Sequence, residues 1–151
     1  MEPDRIERIT DLAAPVSRVW RAITDHSEFG AWFGVNLEGP FKVGEEAHGP
    51  ITNPDYQHVI WRAVIQAIDP EQYFAFTWHP YAIDPNFDYS EEIPTLVEFR
   101  LDPVPAGTRL TLTESGFNDL PDDRRKEAFP NHEKGWTQQM KNIEAYLQKN
   151  P

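Results

Sequence analysis

The C-terminal part of the chain carries the clearest pattern of apolar and polar positions. Within residues 130–149 the large apolar side chains recur at helical spacing and share one face: Trp136, Met140, Ile143 and Leu147. This pattern predicts an amphipathic helix of about 17 residues, roughly 25 Å long, with a buried apolar face. Asn131, directly after Pro130, is its predicted N-cap.

The N-terminal part of the chain predicts one strand followed by two short helices. Arg5 to Leu12 alternates charged and apolar residues, as an edge strand does. Pro15 then suits the first position of a helix whose apolar residues follow at helical spacing. A second helix is predicted after it, with Asp25 or Ser27 as the N-cap and Gly34 at the end.

Between Val35 and Ser115 the pattern changes to short runs of β-branched and aromatic residues separated by turn residues. The predicted strands are Val35 to Glu38, Glu45 to Ile51, Gln57 to Ile68, Tyr73 to His79, Thr95 to Leu101 and Thr108 to Ser115. Pro50 near a strand end indicates an edge or a bulge. With the first strand, these runs predict an α+β fold in which a seven-stranded antiparallel sheet wraps around the terminal helix.

Two connecting segments have no clean strand or helix period. Tyr81 to Pro94 is long for a hairpin connection, which indicates either a lid or an excursion whose aromatic residues cover the sheet edge. Asp122 to Phe129 predicts a short helix with acidic residues first and basic residues after them. Because proline interrupts helices, we expect Pro130 to separate this helix from the long one.

Composition narrows the classes of function. The 14 basic and 25 acidic residues give a net charge of -11, which disfavours binding to nucleic acid or to an anionic membrane. The chain has no cysteine and no apolar run long enough for a membrane span, and Met1 to Thr10 does not resemble a signal peptide. We therefore expect one cytoplasmic domain over residues 1–151.

Several stretches, in this order, resemble the Activator of Hsp90 ATPase homologue 1-like family of the START/Bet v 1-like (SRPBCC) superfamily. The resemblance spans about Ile6 to Leu147 and is carried by PVSRVWRAITD (Pro15 to Asp25), AWF (Ala31 to Phe33), TW (Thr77-Trp78), TRLTLTESGF (Thr108 to Phe117) and KGWTQQMKNIEAYL (Lys134 to Leu147). It implies a helix-grip fold, with a cavity between the sheet and the C-terminal helix that takes a small apolar ligand in many relatives. It implies little about activity, and the eukaryotic co-chaperone resembles this chain only in its second domain.

The residues that we expect to line such a cavity are mostly aromatic, because large flat rings form walls that suit an apolar guest. The predicted ligand-binding set is Trp32, Phe33, Trp61, Phe76, Trp78, His79, Phe99, Glu114, Trp136 and Met140. A packed aromatic core is the alternative for most of these rings. His79 ends a strand beside the long segment, where it either orients a ligand or faces solvent.

Glu114 shares strand parity with Leu110 and Leu112, which predicts an inward carboxylate. Burial alone would raise its pKa and make it an acid, a base or a ligand anchor. The alternative is that the strand twists before Gly116, so that the carboxylate reaches water or backbone donors.

Other chemistry has little support in the sequence. The five histidines show neither HxH nor HExxH spacing, so we expect no metal site. No G-x-S-x-G elbow and no glycine-rich phosphate loop is present, and we expect no cofactor.

The leading hypothesis is binding of a small apolar or amphipathic molecule, lipid-like molecules included, by a monomer or homodimer. One alternative is a co-chaperone role on an Hsp90-type ATPase, as in a stress response. The other alternative is an enzyme of the cyclase or hydrolase type, which requires an inward acid or base; we expect binding rather than catalysis.

Overall fold

A computed structural model describes residues 4–151. Residues 1–3, which begin the charged stretch Met1 to Thr10, lie outside the described residues. The elements in chain order are β1 (Arg5–Leu12), α1 (Val16–Thr24), α2 (His26–Phe33), β2 (Glu46–Pro50), a 3-10 turn (Pro54–Tyr56), β3 (Ile60–Asp69), β4 (Tyr73–Trp78), β5 (Thr95–Val104), β6 (Gly107–Ser115), a second 3-10 turn (Phe117–Asp119) and α3 (Asp122–Lys149).

The strands form one antiparallel sheet in the order β1-β6-β5-β4-β3-β2. The α+β fold is therefore confirmed, and β1 and β2 lie at the two edges, as the charged alternation of β1 and the position of Pro50 predicted.

The sheet has six strands within residues 4–151, not the predicted seven, because Val35 to Glu38 does not form a strand. This segment makes one isolated bridge, between Val35 and Ile51, and the Asn36 N–H donates to the carbonyl of Pro50 at 3.0 Å. The return bond of that pair would need an N–H on residue 50. Because proline has none, the ladder does not extend further.

Helix α2 begins and ends where the sequence predicted, whereas α1 begins at Val16, so Pro15 is its N-cap and not its first helical residue. Asp25 caps α2 with its side chain, which accepts from the backbone N–H groups of Ser27 and Glu28. Gly34 ends α2 in the left-handed conformation, with φ at 96°.

The terminal helix α3 is continuous through Pro130, so the predicted break at this residue is wrong. Asn131 is correspondingly not an N-cap, and its Nδ2 instead donates to the carbonyl of Glu127 at 2.8 Å. Packing explains the difference: Phe129 before the proline stacks edge-on against Phe117 at 5.0 Å, and the apolar stripe after it is buried in the same core. This burial on both sides offsets the cost of about 3 kcal/mol that an internal proline brings.

The inner face of the sheet is filled with side chains of matching parity. In the β5–β6 register, Phe99 pairs with Leu112 and Val97 pairs with Glu114, which places Glu114 inside the fold. Phe99 is fully buried and lies 6.1 Å from the Trp136 ring, between sheet and helix. The space between sheet and helix beside Trp136 is thus occupied by aromatic rings, and open space begins nearer the end of β4.

Candidate functional site

A recess of about 560 Å³ lies where β3 and the end of β4 meet the segment that follows β4. We call it the large recess; its lining residues are Phe33, Glu46, Ile51, Val59, Ile60, Trp61, Arg62, Trp78, His79, Tyr81, Ala82, Ile83, Asp88, Tyr89, Ser90 and His132. Its volume falls within the range of small-molecule sites, about 300–1,000 Å³.

Three aromatic rings form the apolar wall of the large recess. Phe33, the last residue of α2, lies 5.7 Å from Trp61 on β3 and 6.1 Å from Trp78 on β4, measured between ring centroids. The rings of Trp61 and Trp78 are 5.9 Å apart. These distances are those of rings in direct contact, so the three rings form a continuous wall.

The opposite wall belongs to the segment between β4 and β5, and Arg124 of α3 holds this segment in place. Its guanidinium pairs with the carboxylate of Glu92 at 2.9 Å and donates to the backbone carbonyls of Pro80 and Tyr81. It also lies over the Tyr89 ring, 4.6 Å from the centroid. Because both partners of the ion pair are more than nine-tenths buried, this contact is shielded from solvent and orders the wall.

Two buried polar atoms belong to side chains that line the large recess. The indole Nε1 of Trp61 and the ring Nδ1 of His79 have no hydrogen-bond partner among the described residues. Buried polar atoms are normally paired in folded proteins, so each unpaired one requires an explanation, such as a catalytic role or an ordered water or ion.

Charged groups stand at the rim of the large recess. Glu46 pairs with Arg62 at 3.0 Å across the β2–β3 ladder. Asp88 accepts from the hydroxyl and the backbone N–H of Ser90, and these hydrogen bonds hold its pKa below the ordinary value. Asp88 is therefore ionised at neutral pH, and the rim carries two carboxylates against one guanidinium.

A second recess, of about 160 Å³, opens beside the first; we call it the small recess. Its lining residues are Phe33, Trp78, Asn131, His132, Gly135, Trp136 and Gln139. Phe33, Trp78 and His132 line both recesses and form the partition between them.

Glu114 lies behind this partition and lines neither recess. Its Oε1 accepts from His132 Nδ1 at 2.7 Å and from Trp136 Nε1 at 2.8 Å. Its Oε2 accepts from Trp78 Nε1 at 2.7 Å and from the Thr95 hydroxyl at 2.6 Å. A carboxylate accepts about four hydrogen bonds, so these four donors saturate it. Glu114 thus fixes the orientation of three rings that line the recesses, those of Trp78, His132 and Trp136.

The expectation that burial leaves Glu114 with a raised pKa is wrong. Burial does raise the pKa, but the interaction with His132 and the hydrogen bonds from His132, Thr95 and Trp78 lower it more, so the net pKa lies below the ordinary value. Sequence parity placed the carboxylate inside correctly, but the donors come from β4, β5 and α3, and no local pattern reveals their convergence.

His132 is a functional candidate that the sequence reasoning missed. The backbone N–H of Tyr81 donates to its Nε2 at 3.1 Å, so Nε2 carries no proton. The proton of the neutral ring is therefore on Nδ1, which donates to Glu114. A signal was present, because His132 lies four residues before Trp136 on the apolar stripe.

The structure brings only part of the predicted ligand-binding set together. Phe33, Trp61, Trp78 and His79 line the large recess, and Trp136 lines the small one. The five remaining predicted residues line neither recess: Trp32, Phe76, Phe99 and Met140 pack in the core, and Glu114 is buried behind the partition. Trp32 Nε1 donates to the Ala22 carbonyl at 2.8 Å, so this indole N–H already has a hydrogen-bond partner. The cavity expected between the sheet and the C-terminal helix therefore differs in position from the large recess, which neither Trp136 nor Met140 lines.

Comparison with known families identifies the chain. The family model described as Activator of Hsp90 ATPase homolog 1-like protein matches residues 13–148. The chain belongs to this family. The match includes every side chain that lines the two recesses. A comparison with curated proteins gave no significant match. Among residues 4–151, no helix is long and apolar enough to cross a membrane.

Solved structures share the fold. A protein of Mesorhizobium loti is 24% identical, with a TM-score of 0.76 and coverage of 97% of this chain and 98% of its own. A protein of Arthrobacter aurescens is 22% identical, also at a TM-score of 0.76, over 96% of this chain and 86% of its own. DynU16, described as a protein of the dynemicin biosynthetic locus, is 21% identical at a TM-score of 0.75; the match covers 99% of this chain and 49% of DynU16.

Proposed function

We propose that this family member binds a small apolar or amphipathic molecule in the large recess. The observation that carries the proposal is the recess of about 560 Å³, with its aromatic wall and two buried polar atoms that no group of residues 4–151 satisfies. Apolar pockets with a few polar groups are the usual form of small-molecule sites. The affinity would come mainly from apolar burial, at about 25 cal/mol per Å² before entropy costs.

One structural relative is described by its genetic context. DynU16 is described as a protein of the dynemicin biosynthetic locus, so one protein of this fold is associated with a biosynthetic locus. The fold is the only property that identity at this level transfers.

The proposal is tested with N-phenyl-1-naphthylamine, an uncharged aromatic probe whose emission rises when it leaves water. We expect saturable binding to the wild-type protein. Ala82→Trp places a large ring among the lining residues and should abolish the rise, whereas Ala106→Trp, in the exposed β5–β6 turn, should leave it unchanged. Equal binding by both variants would place the probe elsewhere, and no binding by the wild type would refute the proposal.

A co-chaperone role is the second candidate, and the family match favours it, since the family's description names an activator of the Hsp90 ATPase. Its test is the ATPase rate of an Hsp90-type protein with and without this chain. A faster rate that Ala82→Trp does not change would support a protein-binding role that is independent of the large recess.

An enzymatic role has weaker support in the geometry. The four acceptor positions of Glu114 are filled, and both ring nitrogens of His132 are engaged by Glu114 and by Tyr81 N–H. Neither of these two groups is free to take a proton from a molecule in the large recess, as a general base must. Among the histidines that line this recess, His79, whose Nδ1 has no partner within residues 4–151, is the remaining candidate base.

A further inference from the structure

One wall of the large recess contains no helix and no strand. It is formed by residues 81–91, which we call the wall segment; all of them are exposed or half-buried. Those that line the recess are Tyr81, Ala82, Ile83, Asp88, Tyr89 and Ser90. A surface segment with few buried side chains opens more easily than the sheet beside it. The contacts that hold the wall segment closed therefore control the shape of the recess.

Arg124 tethers the wall segment in a way that mild acid does not change. Its guanidinium pairs with Glu92 just after the segment, donates to the carbonyls of Pro80 and Tyr81 at its start, and lies over the Tyr89 ring. Histidine is the side chain that ordinarily changes charge between about pH 5 and 8, and no histidine takes part in these contacts. A response to mild acid therefore requires a different contact.

The first residue of the wall segment supplies such a contact, and its backbone is strained. Tyr81 adopts a φ of 51°, in the left-handed region, which is costly for a residue with a large side chain. Its backbone N–H donates to His132 Nε2 at 3.1 Å. The stabilisation from one hydrogen bond is comparable to the cost of this backbone conformation, so loss of the bond favours rearrangement of Tyr81.

Glu114 determines where a second proton binds on the His132 ring. The neutral ring carries its proton on Nδ1, which donates to Glu114 Oε1 at 2.7 Å. Because the pKa of Glu114 lies below its ordinary value, the carboxylate stays ionised in mild acid and keeps this hydrogen bond. A second proton can then bind only to Nε2, which becomes a donor. Since Glu114 holds the ring in place, Nε2–H and the Tyr81 N–H face each other as two donors.

The groups around His132 come from several elements. The rings of Trp78 on β4 and of Phe117 lie 5.4 Å and 6.1 Å away, and neither titrates. Glu114 of β6 is the charged group in direct contact, and Glu133, next to His132 on α3, is exposed. The other charged or titratable side chains that line the large recess, besides Tyr81, are Glu46, Arg62, His79, Asp88 and Tyr89. Because His79 is also a histidine, its titration has to be tested separately.

We propose that His132 is a pH-sensitive latch of the wall segment: the neutral ring holds the Tyr81 N–H and keeps the segment closed, and uptake of one proton at Nε2 releases it. The closed form dominates at higher pH, and the open form gains as the pH falls, because a proton on Nε2 and the Tyr81 hydrogen bond exclude each other. Arg124 keeps both ends tethered, so the sheet stays folded. This inference goes beyond the proposed function, since the latch does not depend on which molecule the recess binds.

The test is a titration of the wild-type protein, without ligand, from about pH 7.5 to about pH 5, followed by ¹H–¹⁵N NMR. The ¹⁵N shift of the His132 ring reports the proton on Nε2. Amide hydrogen exchange, corrected for the intrinsic rate at each pH, reports the Tyr81 contact. We expect proton uptake and loss of Tyr81 protection at one midpoint, with protection falling about 3- to 10-fold, as for one hydrogen bond. The Leu101 amide, which donates to the Gln72 carbonyl at 3.1 Å, should keep its protection.

Two variants assign the response to one histidine. His132→Gln places an uncharged amide at this position that takes up no proton in this range, so the corrected exchange of Tyr81 should no longer depend on pH. His79→Gln removes the other histidine of the large recess and should retain the wild-type response of the Tyr81 amide.

Several results would overturn the latch. His132 could take up its proton while Tyr81 stays protected, or the ring could remain neutral at about pH 5. A pH response that persists in His132→Gln, or that disappears in His79→Gln, would count equally against it. The wild-type titration needs no variant to fold.

The outcomes for the latch and for the proposed function are distinguishable. Exchange and ring protonation are measured without ligand, so a protein that does not bind N-phenyl-1-naphthylamine at about pH 7.5 refutes the binding proposal and leaves the latch to its own test. When the probe binds, opening of the wall segment should weaken its binding at about pH 5 in the wild type and not in His132→Gln. Equal affinity of the wild type at both pH values would show that the latch does not control the recess.

Discussion

Replacing Glu114 with glutamine tests whether this carboxylate organises the partition between the recesses. Glutamine has one acceptor oxygen and one donor NH₂ group, while four donors surround the position. In the best orientation the amide oxygen accepts from His132 and Trp136, and Thr95 rotates to accept from the NH₂. The indole N–H of Trp78 then faces another donor.

The expected loss in the free energy of unfolding follows from these contacts. One buried donor without an acceptor costs about 1–3 kcal/mol, and the remaining hydrogen bonds lose the strength that a charged acceptor gives, about 1 kcal/mol each. Removing the carboxylate also relieves its desolvation, which offsets part of this loss. We expect Glu114→Gln to lower the free energy of unfolding by about 2–4 kcal/mol near neutral pH.

The loss of stability caused by Glu114→Gln should become smaller as the pH falls. The pKa of Glu114 is lower in the folded protein than its ordinary value of 4.5. The contribution of the carboxylate to the free energy of unfolding is therefore complete above pH 4.5 and is lost as the pH falls through the folded pKa. The difference between wild type and Glu114→Gln should therefore narrow below about pH 4.5.

Urea unfolding followed by far-UV circular dichroism, at about pH 7 and about pH 3.5, measures this difference. Glu127→Gln, an exposed carboxylate on the same helix as His132, is the control and should change stability by less than about 0.5 kcal/mol. If Glu114→Gln is as stable as this control at both pH values, the carboxylate does not organise the partition.

Two further predictions concern the segments around the site. Arg124→Ala should increase backbone hydrogen exchange in residues 80–92, because it removes the partner of Glu92 and the donor to the carbonyls of Pro80 and Tyr81. The exposed Arg62→Ala should leave that exchange unchanged, and equal protection in both variants would contradict the anchoring role. Pro130→Ala should raise the free energy of unfolding by about 1–3 kcal/mol, since it restores an N–H inside a continuous helix. An unchanged or lower value would support a helix that ends at Pro130.

Much of the fold followed from local patterns in the sequence. The cap at Asp25, the end of α2 at Gly34 and the buried stripe from Trp136 to Leu147 each depend on residues close together in the chain, and the structure confirms them. The helix break at Pro130 was wrong because the residues that outweigh it, such as Phe117, contact the helix only in the tertiary structure.

The candidate site was harder to predict for the same reason. Parity placed Glu114 on the inner face, but its pKa depends on Trp78, Thr95 and His132, which lie 18 to 36 residues away in sequence. Trp61 and His79 were both among the predicted residues. The absence of a hydrogen-bond partner for their nitrogens within residues 4–151 is a property of packing that no sequence pattern contains.

The most direct test of ligand binding in the large recess follows the indole N–H signals of the tryptophans by ¹H–¹⁵N NMR during a titration with N-phenyl-1-naphthylamine. The chain has five tryptophans, and only Trp61 and Trp78 line the large recess within the described residues. We predict saturable shifts for these two signals, largest for Trp61, with Trp32 unchanged because it lies in the core and donates to Ala22. Shifts confined to other tryptophans, or no shift at a saturating probe concentration, would contradict binding in the large recess.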